Sequence, residues 1–247
     1  MIDAILFDFG QTLVNSADGF RAAERAAQQK LYADLEGVSW EAFIKCYRHA
    51  RKALHDQSRI SRVDLWRTVY AAFERKPDSA QIVVWESEYW KTVNRHTALF
   101  PEAIAVLEQL QPRYRLGLVS NTQGQADGAG HRLHEFPALA RFFEVAILAG
   151  EGGVPPKPDP KPFQLCLERL GVRPQAAVYV GDDLRIDIGG ASGVGMQPVW
   201  LKHHTVQRNW PSGDLDVPVI TSLEPLLNLA AVLRAGNRVA TKSRTEA

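Results

Sequence analysis

Apolar positions along this chain follow two different periods. Ala4–Phe7 is a short continuous apolar run that stops at Asp8, the pattern of a strand buried on both faces. The period then becomes helical. Phe20, Ala23, Ala27 and Leu31 form one stripe, and Phe43, Tyr47, Ala50 and Leu54 a second. Leu65, Val69, Ala72 and Phe73 form a third, and Ile82, Trp85, Tyr89 and Val93 a fourth. Ser39, Ser61 and Asp78 stand where the last three helices need an N-cap. Helical spacing assigns most of Trp66, Trp85, Tyr89 and Trp90 to the core of this stretch rather than to a binding box. No strand pattern interrupts it.

The period changes again near Phe100. Pro101 is placed as the first residue of a helix that Pro112 stops. Strands are predicted at Arg115–Ser120, Val145–Leu148, Ala177–Val180, Pro198–Leu201 and Val217–Ile220. Between them, Pro160 opens a helix carrying Phe163, Cys166, Leu167 and Leu170, and Gly171 closes it. A last helix runs from Ser222 to about Leu233. Strands alternating with helices imply a parallel sheet covered on both faces. The expected architecture is therefore an α/β, Rossmann-like parallel-sheet core, residues 1–14 and 98–236, with an all-helical cap inserted at 15–97. Residues 237–247 read as a polar, frayed tail.

Length and composition agree with this division. The 247 residues suffice for a core carrying a smaller domain, and 45% hydrophobic with 23% charged residues is ordinary globular composition. The formal net charge of +1 gives no electrostatic reason to expect nucleic acid or an anionic membrane. Cys46 and Cys166 cannot make a disulfide framework and suit a reducing compartment. No apolar run approaches the ~18 residues of a membrane span. Met1-Ile2-Asp3 lacks the basic start of a signal peptide, and no Asn-x-Ser/Thr site occurs. The expected location is cytoplasmic.

In an open parallel sheet, ligands bind beyond the C-terminal strand ends. The polar residues there are Asp8-Phe9-Gly10-Gln11-Thr12, Ser120-Asn121-Thr122 and Gly181-Asp182-Asp183, with Asp187 one turn further on and Lys157 before a helix. Clustered carboxylates repel, so a divalent cation would relieve them. Mg²⁺ suits an all-oxygen site that also meets a phosphate. Lys157, the Ser120 hydroxyl and loop amides suit the other phosphate oxygens. Gly150-Glu151-Gly152-Gly153 is not a dinucleotide fingerprint, because Pro155 and Pro156 forbid the helix that motif opens. His131 and His134 lack ligand neighbours in pattern and read as surface helix, and His203 and His204 as loop.

Four blocks in this order resemble the haloacid dehalogenase superfamily, dominated by Mg²⁺-dependent phosphatases. They are Ile5-Leu6-Phe7-Asp8-Phe9-Gly10-Gln11-Thr12-Leu13, Leu118-Val119-Ser120-Asn121, Val154-Pro155-Pro156-Lys157-Pro158-Asp159-Pro160, and Val180-Gly181-Asp182-Asp183 through Asp187 to Ala191. The resemblance implies a hydrolase that acts on a small phosphorylated metabolite, as a monomer or homodimer. It implies that Asp8 is the nucleophile, forming an aspartyl-phosphate. It implies Mg²⁺ on Asp8, the Gly10 carbonyl and Asp182. Thr12, Ser120, Asn121 and Lys157 then hold phosphate oxygens, Lys157 also stabilises charge on the nucleophile, and Asp183 and Asp187 support the site.

Position 10 departs from the family pattern. The phosphatases usually carry there a second aspartate that protonates the leaving oxygen and then activates water. Gly10 keeps a carbonyl for the metal but transfers no proton. General acid–base catalysis contributes about 10²–10⁴-fold, so the loss is serious but smaller than an enzyme's whole acceleration. Activity is expected to survive best on leaving groups that depart unprotonated. Asp183 is the nearest replacement acid, and Gln11 could orient water. Gly124–Gly130 is glycine-rich where the family has a helix, and reads as a loop. Two other functions fit the same residues: a 2-haloacid dehalogenase with Asp8 attacking carbon without metal, or a catalytically weak relative that binds a phospho-ligand or a protein. Dehalogenases usually have an aromatic residue at position 10, and Asp182 favours metal use.

Overall fold

The computed structural model describes residues 1–57, 59, 61–122, 132–207, 209–210 and 216–235. The predicted tail and the Gly124–Gly130 loop, with His131, lie outside them. The chain folds into two compact units. One comprises Met1–Asn15, Ala98–Asn121 and Leu133–Ala247, and the other Ser16–Thr97 with Thr122–Arg132. The division falls one residue later than the expected 14/15 boundary, and Thr122 and Arg132 group with the helical unit.

The first unit is built on a six-stranded sheet. Its strands are β1 (Ala4–Phe7), β4 (Arg115–Asn121), β5 (Val145–Ala149), β6 (Ala177–Gly181), β7 (Gln197–Leu201) and β8 (Val219–Ile220), in the order β5-β4-β1-β6-β7-β8 with every pair parallel. β1 is central, which explains why all four of its residues are fully buried and read as an unbroken apolar run. α5 (Ala103–Leu110), the short α6 (Pro137–Ala140), α7 (Pro160–Leu170) and the short α8 (Gly190–Gly193) complete this unit. A helical stretch at 229–235 follows a 3₁₀ turn, Glu224–Asn228. Pro101 precedes α5 by two residues instead of opening it. Asp159 caps α7 by accepting from the Lys161 amide, and Gly171 ends it at φ 63°, in the left-handed region that favours glycine.

Two short strands were not foreseen from the sequence. β2 (Val14–Asn15) pairs antiparallel with β3 (Ala98–Leu99), at the two chain crossings between the units. Two-residue strands offer no period to detect.

The second unit contains α1 (Ala17–Asp34), α2 (Trp40–Asp56), α3 (Arg62–Ala72) and α4 (Ser79–Arg95). Ser39, Ser61 and Asp78 cap α2, α3 and α4, each side chain accepting from a first-turn amide. The second stripe is buried as predicted, at Phe43, Tyr47, Ala50 and Leu54. The third is rotated: Leu65, Trp66, Val69 and Tyr70 are buried, while Ala72 is exposed and Phe73 half-buried. Trp66, Tyr89 and Trp90 lie in the core of this unit, with Trp85 packed against it. α1 and α4 approach closely, because a Cβ on Gly19 would lie 2.6 Å from the Val93 carbonyl oxygen.

Candidate active site

The sheet order brings three of the four blocks together at neighbouring strand ends. Asp8 follows central β1, Ser120 and Asn121 end β4 on one side, and Asp182 follows β6 on the other. Lys157 comes from the loop after β5. Its side chain is 1% exposed, yet its Nζ donates to Asp8 Oδ1 at 2.8 Å and to Asp187 Oδ1 at 2.7 Å. A buried ammonium is tolerated only when paired and hydrogen-bonded. Burial works against its charge, but the adjacent Asp187 and Asp8 carboxylates outweigh that and raise its pKa, so Lys157 is a cation.

Asp187 sits in a π-helical turn, Leu184–Gly189. Burial is the main reason that its pKa is pushed up to about 6. Asp8 adds to the rise, while Lys157 opposes it. Its other oxygen, Oδ2, accepts from the Asp183 amide at 2.9 Å. Gly181 makes room for it: a Cβ there would fall 2.5 Å from Asp187 Cβ and Cγ. Carboxylate oxygens of Asp8, Asp182 and Asp187, all three buried, lie within 4.8 Å of one another.

Asn121 and Asp183 have definite partners. The Asn121 carboxamide accepts from the Lys157 amide at 2.7 Å and donates to the Lys157 carbonyl at 3.1 Å. It therefore clamps the lysine's backbone from the neighbouring strand. The Asp183 carboxylate accepts from the Arg185 and Ile186 amides at 3.0 and 2.9 Å, capping the turn that carries Asp187. Thr12 is fully buried, and its Oγ1 has no hydrogen-bond partner among the described residues. A buried hydroxyl of that kind suits a ligand oxygen. Around Gly10, a Cβ would meet nothing within 4 Å. Gln11 adopts φ 59°, the left-handed region that β-carbon-bearing residues rarely enter.

Two residues of this site gave no sequence signal. Tyr179, one residue before the fourth block, donates its hydroxyl to the Val119 carbonyl and accepts from Lys157 Nζ, both at 2.7 Å. Trp200, on β7, donates its indole N–H to the Asp182 carbonyl at 2.9 Å. Both read in sequence as apolar members of buried strands, and only the fold reveals which polar group each one meets.

A parallel sheet with a carboxylate–lysine–carboxylate centre at its strand ends is an α/β core of the Rossmann-like class. The sequence pattern of the haloacid dehalogenase-like hydrolases matches residues 2–195, and the chain belongs to that family and is a hydrolase. It is similar to a glyceraldehyde 3-phosphate phosphatase of Methanopyrus kandleri, at 33% identity over 88% of this chain and 91% of that one. Among solved structures it resembles a HAD phosphatase from Thermococcus onnurineus, with a TM-score of 0.58 and 27% identity, covering 94% of this chain and all of that one. It also resembles a 2-haloacid dehalogenase from Pseudomonas syringae, with a TM-score of 0.62 and 29% identity, covering 94% and 99%. No helix among the described residues is long and apolar enough to cross a membrane.

Proposed function

We propose that this hydrolase is a Mg²⁺-dependent phosphatase that cleaves a small phosphorylated metabolite through an aspartyl-phosphate on Asp8. The observation that carries the reading is the buried Lys157 ammonium shared by Asp8 and Asp187 at the sheet edge. The phosphatase named for its action on glyceraldehyde 3-phosphate supports a small phosphorylated substrate. In this reading a carboxylate oxygen of Asp8 attacks phosphorus, the new O–P bond forms, and the bond to the leaving oxygen breaks. Lys157, bonded to Asp8 Oδ1, holds the carboxylate in its aim. The Thr12 hydroxyl and Ser120 hold non-bridging phosphate oxygens, and Asn121 keeps Lys157 in register. Water then cleaves the aspartyl-phosphate and returns Asp8 as a carboxylate with inorganic phosphate.

The donor set fits a divalent cation. Three buried carboxylates lie within 4.8 Å of one another and one lysine bonds two of them, so the surplus negative charge favours a hard cation with oxygen ligands. Asp8, Asp182 and the Gly10 carbonyl would hold Mg²⁺, which when bound neutralises charge on the phosphoryl oxygens. Two free cysteines fit a reducing, cytoplasmic compartment.

Hydrolysis of p-nitrophenyl phosphate tests this. Turnover is expected with Mg²⁺, and loss of it with chelator or with Asp8→Asn. Turnover indifferent to both would overturn the mechanism, and a phosphate ester that stabilises the fold without being cleaved would point to a binding relative. The second reading, a 2-haloacid dehalogenase, draws on the Pseudomonas syringae structure. It requires chloride release from 2-chloropropionate in chelator, and the acidic Asp182 argues against it.

A further inference from the structure

A lysine ammonium has three N–H donors and no acceptor. Each donor of Lys157 has a protein acceptor: Asp8 Oδ1 at 2.8 Å, Asp187 Oδ1 at 2.7 Å and the Tyr179 hydroxyl at 2.7 Å. Two of these are charged groups of the proposed chemistry. The third is neutral, lies beneath the site and touches no solvent.

We infer that Tyr179 is a positioning residue that fixes Lys157, and through it Asp8, for attack. The inference rests on the phosphatase reading above. The phenol has one proton, and its shorter donor contact is the Val119 carbonyl at 2.7 Å, against 3.3 Å to Asp187. With that proton committed to Val119, the oxygen turns its lone pairs to Lys157. Burial, then the nearby Asp187 and Asp8 charges, push the phenol pKa well above its ordinary value, so the proton stays in place. The ring itself cannot drift. Phe163 of α7 meets it edge-on, with centroids 5.0 Å apart at 70°, and Tyr179 lies in β6 between β1 and β7.

The consequence is geometric. Without the phenol, the third N–H of this buried ammonium would have no acceptor, and the lysine could shift between the two carboxylates. The phenol oxygen closes that freedom. Because Val119 precedes Ser120, the same hydroxyl also ties the proposed phosphate-binding strand end to the lysine on the nucleophile. A misplacement of about 1 Å at a reacting centre costs up to ~10²-fold in rate.

The test compares wild type, Tyr179→Phe and Phe163→Leu on p-nitrophenyl phosphate with Mg²⁺, together with thermal unfolding. Tyr179→Phe removes one oxygen and keeps the ring. Its kcat is expected to fall by roughly 10- to 100-fold with KM changed by less than about threefold. Phe163→Leu keeps the hydroxyl but loosens the ring it braces, and is expected to lower the unfolding midpoint and to lower kcat by less than Tyr179→Phe does. A Tyr179→Phe loss carried in KM, or a kcat loss no larger than that of Phe163→Leu, overturns the inference. If Tyr179→Phe does not fold, 3-fluorotyrosine at position 179 keeps the hydroxyl but weakens it as an acceptor. A few-fold lower kcat is then expected, and an unchanged kcat overturns the inference. A wild type inactive on every phosphate ester sinks the phosphatase reading and this inference with it, whereas an active wild type matched by Tyr179→Phe sinks this inference alone.

Discussion

Gly10 has no side chain at the place where, in the proposed phosphatase, a proton-transferring group would act, and the described residues do not fill the space. A Cβ there meets nothing within 4 Å and the backbone is not in the left-handed region, so Gly10→Asp should be tolerated. The added carboxyl is expected to raise turnover on esters with poor leaving groups by about 10- to 100-fold, and less on p-nitrophenyl phosphate, whose leaving group needs no proton. A phosphate panel ordered by leaving-group pKa measures this, and equal gains or losses across it would show that another residue already transfers the proton. Asp183 is poorly suited to that task, because its carboxylate caps the following turn through the Arg185 and Ile186 amides. Asn121 is engaged in the same way by the Lys157 backbone. Sequence selected both as polar residues at strand ends, which is true of them. Their partners are a matter of three dimensions.

Among the elements, the passage from β6 into the π-helical turn at Leu184–Gly189 is where backbone dictates chemistry. Gly181 ends the strand so that Asp187 can fold back over it toward Lys157. Gly181→Ala would force a methyl to 2.5 Å from Asp187, so that residue must move. Stability is expected to fall by about 1–3 kcal/mol, and kcat by at least about tenfold. Steady-state rates and thermal unfolding of the variant check this, and wild-type kcat in Gly181→Ala would show that Asp187 need not sit where it does. Strands and long helices were legible because burial on both faces, or on one stripe, leaves a period in the residues. β2 and β3 are too short to leave one. The third helical stripe was misread by one face, since Trp66 and Tyr70 compete with Ala72 and Phe73 for the same apolar role.

Across the whole molecule, residues far apart in the chain meet in the core unit. His203 stacks on Phe100 at 3.6 Å between centroids, and its Nε2 lies 2.9 Å from Glu102 Oε1, which also accepts from the Leu223 amide. Burial alone would raise the Glu102 pKa, but hydrogen bonds from its own amide, from His203 and from Leu223 outweigh this and lower it below its ordinary 4.5. A lowered folded pKa contributes stability at pH above the ordinary value, and this is lost as pH falls through the lowered one. Glu102→Gln should therefore melt below wild type at pH 7, with the gap closing below about pH 4. A gap that stays constant with pH would mean the carboxylate charge contributes nothing. The sequence by itself determined the parallel α/β core, the helical insert, the capped helices and the polar residues at strand ends, because these follow from local periods and from where apolar runs stop. Tertiary structure alone decided that β1 is central, that Tyr179 completes the lysine's three contacts and that Trp200 holds the Asp182 carbonyl. Those outcomes depend on which strands become neighbours, and a side chain's partner across a sheet leaves no period along its own strand.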